Sequence, residues 1–129
     1  MKILKQGNIP ERETKPSVAS PSKKYKDSIA NAMLEKDLQQ YTFNMAACLG
    51  YKHYHTHNSF RSDPGFPDSV LLNPQNKRLI FCEFKRQKKD PTPTQQWWID
   101  SLQACGQEVY VIRPMDWLDG TVEKILRGK

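Results

Sequence analysis

The spacing of hydrophobic residues early in the chain predicts a helix. Between residues 28 and 49 they recur every three to four positions, which is the period of one helix face. Gly50 follows and predicts the end of this helix. Three polar residues lie about one turn apart along one edge of the hydrophobic stripe, at Glu35, Gln39 and Thr42. The stripe itself runs through Ala30, Leu34, Leu38, Tyr41, Met45, Cys48 and Leu49.

Shorter segments after this helix predict β-strands. Residues 79–85 are apolar on both faces at the start of the segment, which is typical of a central strand covered on both sides. The same segment ends in two charged residues, Glu83 and Lys85, and such a local inconsistency often marks a functional site. The remaining segments of this part are strands predicted at 51–57 and 69–72 and a loop at 58–68.

The last part of the chain predicts two helices and one more strand. The helix at 92–105 has a clear start, since Thr92 can be its N-cap and Gln95 completes a capping box. A strand at 108–113 and a helix at 116–127 follow. Because two strands that flank a crossover helix run parallel, the expected fold class is α/β, a central mixed sheet of about four strands flanked by helices.

Positive charge is unevenly distributed along the chain. Residues 1–26 carry seven Lys or Arg and two Glu, which leaves them with five of the six net positive charges. Their mixture of Pro, Ser and Lys with few apolar residues predicts a flexible basic arm. Residues 27–129 are expected to form a single domain. The basic residues of this domain concentrate in one segment, which suits a polyanion but also an ordinary solvated face: Lys77, Arg78, Lys85, Arg86, Lys88 and Lys89.

Several classes of protein are disfavoured by the composition. No segment is long and apolar enough to span a bilayer, and the N-terminal residues contain no apolar signal-peptide region. A cytoplasmic protein is therefore expected. Three widely spaced cysteines argue against a disulfide framework and against a zinc site, and all three are expected to be small buried residues: Cys48, Cys82 and Cys105.

Three charged residues are candidates for a catalytic centre. Glu83 and Lys85 are two residues apart on a strand and therefore point to the same face. If their strand pairs with the preceding one as a hairpin, Asp68 joins them at one end of the sheet. Two carboxylates and the backbone carbonyl of Phe84 are oxygen ligands of the kind that Mg²⁺ and Mn²⁺ prefer. The alternative is a surface salt bridge between Glu83 and Lys85, with Asp68 as an ordinary turn residue.

Such a centre contains the groups that phosphodiester hydrolysis needs. A metal held by Asp68 and Glu83 can activate a water and stabilise the charge that develops on the phosphoryl oxygens. Lys85 can orient the water or neutralise the phosphate. Polar and basic residues on either side are candidates for contacts to the DNA backbone, which position DNA without reading its sequence: Ser59, Arg61, Arg86, Lys88 and Lys89.

The order of these motifs resembles the VRR-NUC domain of the PD-(D/E)XK nuclease superfamily. The matching elements run from about Glu35 to Arg113 and cover most of the predicted domain. The resemblance implies a small restriction-endonuclease-like core. The matching residues are the helical Glu35, Gly-Phe-Pro-Asp at 65–68, Glu-Phe-Lys at 83–85, Gln95 with Trp98 three residues later, Leu102 and Gly106.

The resemblance also implies a role for each matching residue. Asp68 and Glu83 match the metal-binding carboxylates, and Lys85 matches the catalytic lysine. Glu35 matches the helical Glu that completes the metal site, and Gln95 matches the Gln of the helix after the Glu-x-Lys strand. From the residues alone, Glu35 can equally be an ordinary helix residue and Gln95 only a member of the capping box.

The family is associated with structure-specific cleavage of branched DNA. The resemblance therefore implies a Mg²⁺- or Mn²⁺-dependent DNA endonuclease acting on Holliday junctions or flaps, in DNA repair or replication. Stand-alone members from phages and bacteria resemble Holliday-junction resolvases and work as dimers, and a phage-encoded protein would act in the host cytoplasm. A homodimer would place two active sites across a symmetric substrate. RNA stays open as a substrate.

Two alternative functions stay open on the sequence. The first is a nucleic-acid-binding accessory protein that has the fold but little activity. The second is a hydrolase that binds Zn²⁺ through His53, His55 and His57, which alternate along one predicted strand, and that would survive loss of Glu83. The VRR-NUC resemblance instead places His55 or His57 near the carboxylate site.

Overall fold

The computed structural model of the protein describes residues 16–56 and 63–128, with side chains described from Lys23 onwards in the first of these segments. The helices and strands in these residues are α1 (Pro16–Ala32), α2 (Glu35–Cys48), β1 (Lys52–His55), β2 (Ser69–Asn73), β3 (Arg78–Phe84), α3 (Pro93–Ala104), β4 (Glu108–Ile112), α4 (Pro114–Leu118) and α5 (Thr121–Arg127).

The strands form one mixed sheet in the order β1-β2-β3-β4. β1, β2 and β3 are antiparallel neighbours, and β4 runs parallel to β3. α3 makes the crossover between the two parallel strands, as expected for strands joined by a helix. The predicted α/β fold with a central mixed sheet of four strands is confirmed.

Helices cover both faces of this sheet. On one face, the core side chains of β2, β3 and the end of β4 are at most 2% exposed and pack against α2 and α5. α1 lies outside this layer and packs on α4. On the other face, α3 packs on β4 and buries Ile99. The inward-pointing residues of the first face are Leu71, Ile80, Cys82, Phe84 and Ile112.

The single helix predicted at 28–49 is wrong, because α1 and α2 are separated at Met33 and Leu34. Met33 N donates to Ile29 O at 3.0 Å and closes α1. Leu34 then adopts extended backbone angles, with φ −83° and ψ 153°, and becomes the N-cap residue of α2. Propensity and periodicity continue smoothly through these residues, so no local signal marked the break.

The break also changes which residues of α2 are buried. Leu34 and Tyr41, both in the predicted stripe, are each 42% exposed. Thr42, expected at the edge of the stripe, is fully buried, and its hydroxyl donates to Leu38 O at 2.9 Å. Phe43 is buried against the sheet as well. The stripe counted through the break is therefore rotated relative to the true buried face.

The expected boundary between an N-terminal arm and the domain, at residue 26, falls inside α1. Helical structure begins by Pro16, so part of the predicted arm belongs to the helix that continues into the domain. Residues 1–15 lie outside the described residues, and the flexibility predicted for the arm stays a prediction there.

Three smaller expectations are corrected at the C-terminal end and at the cysteines. The helix predicted at 116–127 is divided into α4 and α5 by Gly120, whose φ of +86° is left-handed. Cys48 and Cys105 are exposed, and only Cys82 is buried as expected. Across the described residues, no helix has the length and apolar character needed to cross a membrane.

Candidate active site

The antiparallel pairing of β2 and β3 brings two carboxylates together. Ser69 lies opposite Cys82, so Asp68 lies opposite Glu83 one step further along the two strands. Asp68 Oδ2 accepts a hydrogen bond from Phe84 N at 2.9 Å, and Asp68 O accepts one from Thr56 N at 3.2 Å. These contacts fix both the side chain and the main chain of Asp68 at the end of the sheet. This is the position expected for Asp68 if the two strands pair as a hairpin.

Glu83 is the most buried acidic residue of this site, with only 2% of its surface exposed. Its Oε2 accepts a hydrogen bond from Gln95 Nε2 at 3.0 Å and lies 3.8 Å from Lys85 Nζ. Its Oε1 is buried and has no hydrogen-bond partner in residues 16–56 and 63–128. A buried carboxylate oxygen without a partner is costly, so this atom is a natural position for a ligand.

Gln95 connects this carboxylate to the start of α3. Its Oε1 accepts from Thr92 N at 2.9 Å, and its own N donates to Thr92 Oγ1 at 3.2 Å, which completes the predicted capping box. The same side chain uses its Nε2 on Glu83. The sequence left a structural and a functional interpretation of Gln95 open, and the geometry allows both at once.

The loop before Asp68 is held against α3, which the sequence analysis missed. Trp98 Nε1 donates to Pro64 O at 3.0 Å, and the Phe66 ring packs edge-on against the rings of Trp98 and Phe81. Trp98, which the sequence analysis names only as part of the family resemblance, is half-buried and makes this polar contact. Gln95 and Trp98 lie one helical turn apart and therefore on the same side of α3. This spacing is the sequence signal that could have predicted that both residues contact the site.

A second missed contact joins α2 to the start of β2. Gln39 Nε2 donates to Ser69 Oγ at 3.0 Å, next to Asp68 in the chain, and Ser69 is fully buried. Gln39 lies one turn after Glu35 on the same side of α2. The polar row identified at the edge of the stripe therefore lies over the end of the sheet that carries the carboxylates.

Burial and proximity shift the titration of the two carboxyls. The pKa of Glu83 is raised to about 8, first by burial and then by the negative charge of Asp68. The pKa of Asp68 is raised mainly by burial, and the nearby charge of Glu35 adds to the increase. The positive charge of Lys85 opposes both shifts. In the metal-free protein, the two carboxyls therefore hold a proton between them near neutral pH.

Glu35 lies at the margin of this centre. It is exposed in the first turn of α2, and its Oε2 accepts from Arg86 N at 3.2 Å. Within the described residues, no three His, Cys, Asp or Glu side chains are close enough together to hold a metal ion. The direct three-carboxylate ligand set expected from Glu35, Asp68 and Glu83 is thus not assembled here, whereas Asp68 and Glu83 form the predicted pair.

The other predicted residues divide into three groups. Arg86, Lys88 and Lys89 lie on the loop after β3, where Arg86 N donates to Glu35 Oε2. His53 and His55 pack against Phe43 of α2, on the sheet face opposite α3, with ring centroids 3.9 Å and 5.5 Å from that of Phe43. His57, Ser59 and Arg61 lie outside the described residues.

Comparisons with known proteins agree with this fold. A solved structure described as a VRR_NUC domain is similar to the chain, with a TM-score of 0.59 and 22% sequence identity. The match covers 69% of this chain and 94% of that one. At this identity the likeness shows a shared fold. None of the curated proteins matches the chain.

The family models give the more specific result. The model of the VRR-NUC domain matches residues 11–116, which is most of the chain and includes Asp68, Glu83, Lys85 and Gln95. Because the match spans the whole hairpin, the crossover helix and β4, it does not depend on one motif. The protein belongs to the VRR-NUC domain family.

Proposed function

We propose that this protein is a cytoplasmic Mg²⁺- or Mn²⁺-dependent endonuclease that hydrolyses phosphodiester bonds in DNA. Membership of the VRR-NUC family implies a nuclease-type function. The observation that carries the more specific proposal is the buried pair of Asp68 and Glu83, with a partnerless Glu83 Oε1 and Lys85 Nζ 3.8 Å from Oε2.

The residues present fit a hard divalent cation. Asp68 and Glu83 would hold it, with the backbone carbonyl of Phe84 as a further oxygen ligand. A positive charge between the two carboxyls would replace the proton that Glu83 holds because burial and the negative charge of Asp68 raise its pKa. Mg²⁺ keeps several of its waters in protein sites, so Glu35 need not touch the ion to take part. When bound, the metal supplies an activated water and stabilises charge on the phosphoryl oxygens.

The protein's own side chains position the reacting groups. Lys85, with a side chain 13% exposed, points its ammonium toward the carboxylates, where it can neutralise the phosphate or orient the attacking water. Gln95 holds Glu83 Oε2 and leaves Oε1 free for the metal. Because α3 also holds the loop before Asp68 through Trp98, one helix supports both carboxylates.

We further propose that branched DNA, as a Holliday junction or a flap, is the preferred substrate and that two copies act together. A domain of 15.0 kDa with one site has little surface with which to hold a junction. A C2 dimer would present two sites to a symmetric substrate. Sedimentation of the protein at micromolar concentration, alone and with a four-way junction, tests this part, and a monomer in both cases would contradict it.

The main test measures cleavage of labelled four-way-junction, flap and plain duplex DNA with Mg²⁺, Mn²⁺ or EDTA. Asp68→Asn and Glu83→Gln should each lower the metal-dependent rate about 100-fold or more, because each removes a charged ligand of the metal. Glu123→Gln is the matched control, since the Glu123 side chain is 46% exposed and pairs with Arg127 within α5, away from the candidate site.

The possible results separate the candidate functions. Metal-dependent cutting that both site variants abolish and the control retains supports the nuclease proposal. Binding without cutting, unchanged by either variant, would identify an accessory protein. Zn²⁺-dependent cutting that survives Glu83→Gln would instead support a histidine site. An RNA strand of the same sequence, included in each assay, tests the choice of nucleic acid.

A further inference from the structure

A basic cleft lies beside the candidate active site, and we call it the Arg86 cleft. Its volume is about 470 Å³. Among the described residues that line it, three are cationic and none is acidic, so its charge favours a negatively charged ligand. The lining residues are Asn31 from the end of α1 and Arg86, Gln87, Lys88 and Lys89 from the loop after β3.

The guanidinium of Arg86 is fixed in place but incompletely bonded. Its Nη2 donates to Asn31 O at 3.0 Å, and the main-chain N of Arg86 donates to Glu35 Oε2 at 3.2 Å. Its Nε is buried, and the described part of the chain offers it no acceptor. A buried N–H of a charged group is costly to leave unpaired. A phosphate oxygen is an acceptor that a guanidinium suits well.

The loop that forms the cleft is held by the rest of the fold. Lys89 O accepts from Arg113 Nε at 3.1 Å and from Arg113 Nη2 at 2.9 Å. Gln87 Oε1 accepts from Met115 N at 2.9 Å, at the start of α4. Because these bonds fix the loop before any ligand binds, binding orders few additional groups and costs little entropy.

Acidic residues near the cleft, among them Glu35 and Asp27, restrict the space that a polyanion could occupy. Glu35 is engaged by Arg86 N on the side of the active site. Asp27 lines an adjoining cleft together with Asn31, Gln87 and Lys88. Negative charge on both flanks favours a compact anion, one phosphate group, over an extended run of phosphates inside the cleft.

The position of the cleft relates it to the bond that would be cut. Arg86 follows Glu83 by three residues, which span at most about 11 Å of extended chain. One strand of a duplex advances about 3.4 Å per nucleotide. The cleft and a phosphate bound at Glu83 would therefore be separated by only a few nucleotides of one strand.

We propose that the Arg86 cleft binds a single backbone phosphate of the substrate strand, about one to three nucleotides from the bond that is cut. This inference rests on the proposed nuclease function. It adds a fixed phosphate-binding point next to the metal centre. The bond that is cut would then lie a constant number of nucleotides from the phosphate bound in the cleft.

The first test replaces one phosphate at a time in the labelled substrate with a neutral methylphosphonate. In the wild type, one position near the cut should lose about tenfold or more in kcat/KM, as expected for a charged hydrogen bond. In the Arg86→Gln variant, replacing that same phosphate with a methylphosphonate should cause no further loss of kcat/KM. Lys124→Gln removes an exposed charge from α5 and should respond like the wild type. If Arg86→Gln does not fold, the double variant Lys88→Gln/Lys89→Gln takes its place.

The second test needs no cleavage. Inorganic phosphate is titrated into the metal-free protein while the Arg86 Nε–H signal is followed by NMR, and a saturable shift, weaker in Lys88→Gln/Lys89→Gln, is expected. If nothing is cut but phosphate saturates the cleft, the nuclease proposal fails and the anion site stands. If DNA is cut but no saturable shift occurs, or the methylphosphonate effect is equal in Arg86→Gln and the wild type, the anchoring proposal is overturned.

Discussion

Gln95 and Glu83 are joined by a hydrogen bond of 3.0 Å, and the same Gln95 side chain closes the capping box of α3 through Thr92. The N-terminus of the crossover helix and the buried carboxylate are therefore held by one amide. Different substitutions of Gln95 can therefore test its two roles separately, the capping of α3 and the positioning of the Glu83 carboxylate.

Gln95→Glu and Gln95→Ala should both slow cleavage, but only Gln95→Ala should lose the capping contact of α3 to Thr92. Glu retains an oxygen for Thr92 N, but its ionised carboxyl cannot donate to Glu83 and adds a negative charge beside it, so the pKa of Glu83 should rise further and metal-dependent cleavage should be about 10- to 100-fold slower. Ala loses both contacts, and the free energy of unfolding should also fall by about 1 kcal/mol. Chemical denaturation and cleavage assays measure the two effects. Wild-type cleavage by Gln95→Glu would show that the bond to Glu83 has no functional role.

The stability of the metal-free protein should fall as pH rises from about 4.5 to about 8. Glu83 has a pKa of about 8 in the folded protein against 4.5 as the ordinary value, so the folded state holds the extra proton between these pH values. The contribution of this proton to the free energy of unfolding is complete below pH 4.5 and is lost as the pH rises past about 8. Between these pH values the free energy of unfolding falls by up to about 1.4 kcal/mol per pH unit.

Denaturant unfolding of wild type and Glu83→Gln, in EDTA across this pH window, measures that contribution. The wild type should lose stability relative to the variant as pH rises, whereas Glu123→Gln should follow the wild type. Adding Mg²⁺ should stabilise the wild type most at high pH, because the metal and the proton compete for the same carboxyls. Parallel curves for wild type and Glu83→Gln would contradict the raised pKa.

Trp98→Phe should slow cleavage more than its effect on folding suggests. The substitution keeps an aromatic ring against Phe66 but removes the indole N–H that donates to Pro64 O at 3.0 Å. Unfolding should become easier by about 1 kcal/mol, and a looser loop should misplace Asp68. Trp97→Phe is the control, because Trp97 is 62% exposed. Equal cleavage rates for the two variants would show that the Trp98 contact does not position the carboxylate.

Gly65→Ala should be among the most damaging small substitutions in the loop. Gly65 has φ +85°, and a Cβ there would lie 2.7 Å from the backbone carbon of Thr94 in α3. Gly106→Ala is a matched control, since Gly106 has φ +83° with nothing within 4 Å of a Cβ. Both variants bear the strain of positive φ, about 1 kcal/mol. Only Gly65→Ala should lose clearly more stability and also displace the start of β2, which denaturation and cleavage together would detect.

Local rules were sufficient for the parts of the site that lie on neighbouring residues. The alternation along a strand placed Glu83 and Lys85 on one side, and the hairpin that the sequence analysis assumed brings Asp68 opposite Glu83. The capping box could be predicted from spacing alone, because it depends on Thr92, Pro93 and Gln95. These features depend on contacts within a few residues or on one pairing.

The remaining features depend on contacts between distant parts of the chain. The break at Leu34 places Glu35 at the start of a new helix, and Arg86, far along the sequence, holds the end of α1 through Asn31 O. The bond between Gln39 and Ser69 joins residues 30 positions apart. Hydrophobic periodicity describes one helix or strand at a time. It therefore predicted neither the break between α1 and α2 nor the hydrogen bonds between distant residues.

The distribution of the three cysteines makes the protein suitable for distance measurements without engineering new thiols. Cys48 and Cys105 are exposed at the C-terminal ends of α2 and α3, on opposite sides of the sheet, and can each take a spectroscopic label. Burial raises the pKa of Cys82 to about 12, so its thiol stays protonated and unreactive. A pair of labels on the natural thiols would therefore report directly on whether the two helical layers separate when the proposed nucleic-acid substrate is added.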